Sequence, residues 1–405
     1  MKELFNALRK KGNYLDNCEG GKPIKKHKDT KYLPCSDCLG FYSSKNIWKH
    51  RKTCCKNLKA VKPQVEAQNF LVRHLKIDPQ LRNTVFPRTG ADEISLIAKK
   101  DFLICAFAAR YIEVHREKHF INVASRKMRE MAKIVIEMKN MVPSVKNLFD
   151  SLKRQYYDNL VMATKNIAKY DNAKENYGAP TLVLNIGTSL KQCCEIAVLH
   201  ILKRKNIAQT LETASVEADI KTLVNLIEAH WKYDISSQAS QDLNIKRWNK
   251  VTIVPLASDL KLLKDYLIKV ANNSIIALNK NSNDQKAYTN LLETVFCRVV
   301  LLNRERPGEL QRFPLHTYVA TLEAESTTYE EFSEAVSETE RILMRNFKRI
   351  VIRGKRGRGV AVLFSKDVQD HLQILLKYRD GIMRTQNPYL FGNPTVSEPI
   401  TGYKI

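Results

Sequence analysis

The chain has 405 residues, 44% of them hydrophobic, and carries 67 Lys+Arg against 42 Asp+Glu, a formal net charge of +25. That length has room for two or three domains with sizeable cores, and the apolar share excludes an intrinsically disordered chain. Nine cysteines spread over such a length exclude a disulfide scaffold, and the basic excess points to a polyanionic partner, nucleic acid ahead of an acidic membrane surface.

The first residues, MKELFNALRKKGNYLD, lack an apolar core followed by a small-residue cleavage site, so no secretory signal is expected. The run FLICAFAA falls well short of the roughly 18 apolar residues of a membrane span, and no membrane association is expected. Residues 1–60 hold 15 Lys+Arg, 5 Asp+Glu and five of the nine cysteines. The other four, Cys105, Cys193, Cys194 and Cys297, sit in apolar helical patterns and read as buried free thiols of a reducing compartment, nucleus or nucleus and cytoplasm.

Within that basic segment, YLPCSDCLGFYSSKNIWKHRKTC places two residues between Cys35 and Cys38, then three between His50 and Cys54. Two thiols on a tight turn plus a His and a Cys one helical turn apart can close a tetrahedral zinc site. Cys55 is an alternative fourth ligand. Phe41 and Ile47 stand where a ββα finger keeps its apolar residues. The cluster over 35–54 resembles a zinc finger of the two-cysteine, two-histidine type with its last ligand changed to Cys, and its Cys-to-His spacer is one residue short. Its helix would carry Lys45, Lys49, Arg51 and Lys52, which suits phosphate contacts, although such a finger can also bind protein. The preceding KPIKKHKDTK reads either as a nuclear-import or phosphate-binding patch or as a solvated basic linker.

From 63 to 230 apolar residues recur with period 3.6 through DFLICAFAARYIEVHREKHF, INVASRKMREMAKIVIEMKNM and the segments that follow, which predicts a helical domain without internal repeats. The stretch over 231–250 is rich in Ser, Asn, Gln and Asp and reads as a linker. Beyond it, over 251–405, helices are predicted in LASDLKLLKDYLIKVANNSIIALNK, DQKAYTNLLETVFCRVVLL and TTYEEFSEAVSETERILMRNF. KRIVIRGKRGRGVAVLFS, two β-branched runs around a Gly-and-basic turn, reads as a hairpin. The helix KDVQDHLQILLKYRDGI and an aperiodic tail complete the pattern. The fold class expected is mainly α, with an N-terminal finger and a mixed α+β C-terminal domain built around that hairpin.

LLNRERPGELQRF ends a buried helix in Arg306-Pro-Gly-Glu309-Leu, and the hairpin turn follows 49 residues later at Lys355. This order of helix, arginine turn, helix, basic hairpin and helix resembles the tyrosine recombinase (phage-integrase) superfamily over about 250–395. The finger-bearing N-terminal region is similar to its eukaryotic transposon-type relatives. The resemblance implies Arg306 as a phosphate-binding arginine, Glu309 as the buried acid behind it, and Lys355 as the hairpin lysine, with Arg353 and Arg356 close enough to be exchanged for it. Region 63–230 would then correspond to the core-binding domain by position. Lys49, Arg51, Lys52, Arg353, Arg356 and Arg358 are the candidate DNA-binding residues.

The family cleaves a phosphodiester with a tyrosine hydroxyl. Arginine's planar fork suits the non-bridging oxygens of that transition state, and a lysine can deliver a proton where a guanidinium cannot. A second arginine box and a late tyrosine nucleophile are not found. His371 lacks an Arg three residues on, His316 comes too early, and Tyr389 and Tyr403 precede where that box would begin. The catalytic domain therefore reads as truncated, and covalent strand transfer is not expected. The expected function is a DNA-binding, recombinase-like protein related to DNA integration, with double-stranded DNA as partner, self-association on DNA and one structural zinc ion. The alternative is a nuclear zinc-finger regulatory or scaffold protein acting through protein contacts.

Overall fold

Period-3.6 patterning dominates the sequence, and helix dominates the computed structural model, which describes residues 2–18, 32–54, 62–204, 211–248, 254–304, 306–323, 337–354 and 357–402. Among the described residues strand occurs only in three two-stranded hairpins. The chain divides into two units, Met1–Val251 and Thr252–Ile405.

The first unit opens with α1 (Lys2–Cys18), the antiparallel pair β1 (Tyr32–Pro34) and β2 (Phe41–Ser43), α2 (Ile47–Cys54) and α3 (Pro63–Leu71). The helical part follows with α4 (Glu93–Lys100), α5 (Phe102–Val114), α6 (Phe120–Met141), α7 (Leu148–Ser151) and α8 (Tyr157–Ile167). A short hairpin of β3 (Tyr170–Asp171) and β4 (Asn176–Tyr177) leads to α9 (Pro180–Arg204), α10 (Leu211–Trp231) and α11 (Ser237–Trp248). Asp92 and Asp101 start α4 and α5 by accepting the Ser95 and Ile104 N–H groups, which satisfies donors a helix cannot pair internally. Helix α6 buries Met128, Met131, Ile134, Val135 and Met138 at helical spacing against its neighbours α4, α5 and α8. Helix α9 is long and apolar enough to cross a membrane, but here Val183, Ile186, Leu190, Cys193, Cys194 and Ala197 are buried in the core of the unit. Gly187 lets Trp231 lie across α9, since a Cβ there would stand 2.6 Å from the indole Nε1.

The stretch expected as a linker over 231–250 is instead helical from Lys232 to Trp248 and belongs to the first unit. Its polar residues are used inward. Asp242 is buried and accepts the Tyr177 N–H at 2.7 Å, while Lys246 Nζ donates to the Tyr177 and Gly178 carbonyls. Those pairings satisfy backbone groups beside β4, so polarity marks a hydrogen-bonded helix here rather than a break.

The second unit contains α12 (Ala257–Lys280), α13 (Gln285–Asn303), α14 (Pro307–Leu310), α15 (Leu315–Glu323) and α16 (Glu338–Asn346). The antiparallel hairpin β5 (Phe347–Arg353) and β6 (Gly359–Ser365) comes next, then α17 (Lys366–Ile382). Alternate hairpin residues Ile350, Ile352, Val362 and Phe364 point into one core with Val295, Phe296 and Val299 of α13 and Val368, Leu372 and Leu375 of α17. This is the period-2 burial of a half-covered sheet. The tail is stitched back by Arg379, which is buried and donates to the carbonyls of Asn387, Tyr389 and Leu390. Backbone bonds from Leu390 N to Phe313 O (2.8 Å) and from Leu315 N to Pro388 O (2.8 Å) lay the tail beside the arginine turn.

Candidate metal centre and arginine turn

Four donors converge in the first unit. The ligand atoms of Cys35, Cys38, His50 and Cys54 all lie within 4.8 Å of one another, with Cys38 Sγ 3.3 Å from His50 Nε2. Thiolates about 2.3 Å from a tetrahedral ion stand ~3.8 Å apart, so the set fits a four-coordinate metal ion. Cys55 lies outside the described residues.

The first two donors sit on a knuckle closed by Cys35 N–H to Gly40 O (2.9 Å) and Leu39 N–H to Cys35 O (3.0 Å). Leu39 adopts φ 59° there, the left-handed region that glycine would occupy more easily. The glycine stands one residue on, because a Cβ at Gly40 would meet the Tyr42 ring at 3.0 Å. Tyr42 is thereby free to stack on His50 with centroids 3.6 Å apart, its hydroxyl 3.7 Å from Cys38 Sγ. Burial, then the neighbouring Cys38, pushes the Tyr42 pKa above its ordinary range, so the hydroxyl keeps a proton to donate to sulfur. Burial, then the charge of Lys10, lowers the His50 pKa and favours the neutral imidazole that a metal takes.

The apolar support differs from the expected Phe41–Ile47 pair. Ile47 is buried as expected, but it packs with Leu33 and Ala67, flanked by Tyr42 and Leu71, while Phe41 stays only half-buried. Two of these residues, Ala67 and Leu71, belong to α3. The ββα element is thus completed by a helix outside it. Polar bonds secure the junction: Arg51 Nη1 meets Glu66 Oε2 at 2.5 Å, Ser36 Oγ donates to Glu66 Oε1 at 3.2 Å, and Gln64 Nε2 donates to Ser44 O. From α3 the chain of contacts continues, since Gln68 donates to Asp92 O and accepts from the buried Lys99 Nζ at 2.8 Å. Arg51 was expected at phosphate. The structure corrects this: its side chain is only 10% exposed and is held by Glu66.

With Ile47 and Arg51 turned toward α3, the opposite side of α2 presents Trp48, Lys49 and Lys52 to solvent, with Lys45 in the turn just before. None of the ion pairs among the described residues uses these three lysines. Sequence reasoning singled out the lysines and passed over Trp48, although the spacing 45, 48, 49, 52 already places it on the basic face.

In the second unit α13 closes with Arg304 at φ 52°, and the chain turns into Arg306, which precedes α14. Arg306 Nη1 donates to Glu309 Oε1 at 3.0 Å; the arginine side chain is 69% exposed and the glutamate 10%. The other carboxylate oxygen, Oε2, lies 3.1 Å from where a Cβ of Gly354 would stand, so the turn of the β5–β6 hairpin abuts the acid that holds Arg306. Asn303 fixes that approach by a reciprocal pair, Leu363 N–H to Oδ1 (2.7 Å) and Nδ2 to Leu363 O (2.9 Å). Nothing in the local pattern singles out this asparagine, whose role depends on a strand 60 residues away.

Within the hairpin, Gly354 N–H bonds Arg358 O at 2.7 Å and Gly357 takes φ 74°. The Arg353 guanidinium folds over that glycine, and Arg353 and Arg358 are exposed. Lys355 and Arg356 lie outside the described residues, as does Tyr403. His371 serves Arg298: its Nδ1 accepts from Nη1 at 3.1 Å, and burial followed by that cation lowers its pKa. No family model matches the chain, and no curated protein or solved structure matches it.

Proposed function

We propose that the protein binds double-stranded DNA through two cationic surfaces: the outer face of a zinc-loaded finger and the arginine turn with its basic hairpin. The observation that carries this reading is the adjacency of Arg306, Glu309 and the hairpin turn at Gly354. A carboxylate that is almost wholly buried holds an exposed guanidinium in place beside a Gly-and-basic turn, and such a fork matches phosphate oxygens bidentately. Lys49 and Lys52 on the finger and the net charge of +25 support the same partner. Zinc is the metal that a Cys3His set with tetrahedral spacing suits. The layout of the second unit supports a tyrosine-recombinase-like domain, in which Arg306 would face DNA.

The test is duplex binding by fluorescence anisotropy across a salt series. Neutralised phosphates make the logarithm of the binding constant fall linearly with the logarithm of salt. Arg306→Ala and Arg353→Ala should each weaken binding and flatten that slope. Absence of duplex binding at low salt would remove the reading. A covalent adduct with a nicked suicide duplex would extend it from binding to strand cleavage.

A second reading, a regulatory or scaffold protein working through protein contacts, is favoured by one feature of the second unit. Leu256, Leu260, Leu262, Leu263 and Tyr266 are all exposed along the first turns of α12. An apolar surface of that kind marks contact sites in other proteins. Salt-insensitive self-association without DNA binding would select this reading.

A further inference from the structure

The basic face of α2 has an unusual centre. Trp48 is 41% exposed, and the Nζ atoms of Lys49 and Lys52 stand 5.6 and 5.1 Å from its ring centroid. The indole is not a core residue, because the buried side of α2 is Ile47 and Arg51 against α3. It is not a metal ligand either, since those positions are His50 and Cys54. The helix carries no acidic residue, so nothing within it neutralises the lysines. Its attachment to α3 through Arg51, Glu66 and Gln64 holds the face in one orientation.

Ammonium groups alone suffice to bind the backbone of a duplex. A large flat ring between them adds little there, because both faces of every internal base are covered by its neighbours. The ring gains most from a base whose face is uncovered. Base–aromatic stacking on a cationic surface is sequence-tolerant and adds strongly to single-strand binding, and an ammonium poised over the indole is already placed to move onto the adjoining phosphate. We infer that this face is a docking surface for unpaired nucleotides of single-stranded DNA, with Trp48 stacking on a base and Lys45, Lys49 and Lys52 on the flanking phosphates. The inference rests on the nucleic-acid reading above and adds to it, at the finger surface, a preference for an unpaired strand.

The experiment compares a short labelled single strand with a blunt duplex of the same sequence, using the full zinc-loaded chain and its Trp48→Ala and Trp48→Phe variants. Metal content and far-UV circular dichroism check that the finger is intact. Trp48→Ala should lower single-strand affinity about tenfold more than duplex affinity, and Trp48→Phe should keep most of the difference. An unchanged ratio between the two affinities in Trp48→Ala overturns the inference while leaving duplex binding as proposed. A wild-type chain that binds neither probe overturns the nucleic-acid reading, and this inference with it.

Discussion

Arg51 of the finger helix and Glu66 of α3 meet at 2.5 Å, and Arg51 Nε has no partner among the described residues. The pair converts an otherwise detachable finger into part of the first unit. Removing the carboxylate leaves a guanidinium in a site that water barely reaches, and an orphaned buried charge costs more than the pair contributed.

Glu66→Ala should therefore destabilise the first unit by about 2 kcal/mol, below the range for fully buried pairs because Glu66 is 34% exposed. Urea unfolding of the zinc-loaded protein measures it. Glu66→Gln, which can still accept from Ser36, should cost less.

Metal removal is the second test. Chelation, or His50→Ala, should unfold the β1–β2–α2 element while α6 and α9 keep their helicity, and protons should compete with the metal as pH falls. Tyr42→Phe removes the hydroxyl 3.7 Å from Cys38 Sγ but keeps the ring on His50. It should weaken metal binding on the order of tenfold, as loss of a ligand's hydrogen-bond partner does. The thiolate-to-metal absorption of the cobalt-loaded protein reads both effects.

Gly187→Ala tests the packing of α9. The new methyl would fall 2.6 Å from Trp231 Nε1 and force the indole off the helix. A loss of about 1–3 kcal/mol is expected, with a matching shift in the fluorescence of Trp231.

Lys99 sets a pH dependence. It is fully buried with Gln68 Oε1 as acceptor, and burial pushes its pKa from 10.5 down to about 8. Below about 8 both folded and unfolded chains hold the proton, and the fold bears the whole cost of the buried charge, on the order of 3 kcal/mol. Between about 8 and 10.5 the unfolded chain binds more protons than the folded one, so this contribution to stability rises with pH. Lys99→Met removes the effect. Its stability relative to wild type should be greatest near pH 7 and shrink as pH approaches 10.

The two most local patterns were the most legible. Helical periodicity located most of the helices, and the spacing of Cys35, Cys38, His50 and Cys54 is enough to bring four donors together because each pair is fixed by its own turn. What the sequence hid were contacts across the chain. Arg51 looked like a surface cation because its partner, Glu66, stands in a different helix. Phe41 matched the spacing of a finger core, but α3 supplies Ala67 and Leu71 and leaves Leu33 in the role. The polar run over 231–250 looked like a linker because hydropathy does not reveal that Asp242 and Lys246 find backbone partners beside β4. Asn303 was invisible for the same reason, its two bonds reaching a strand far along the chain.

Gly402 lies where a Cβ would stand 3.1 Å from Pro307 and 2.7 Å from Phe296, and its N–H bonds Gln311. The stitching of the tail by Arg379 therefore delivers Gly402 to the residue that follows Arg306 in the chain. A fluorophore attached through a cysteine put in place of Thr401 would sit beside the arginine turn and respond to whatever occupies it. The same label would crowd that surface, so assays of duplex binding call for a label elsewhere on the protein.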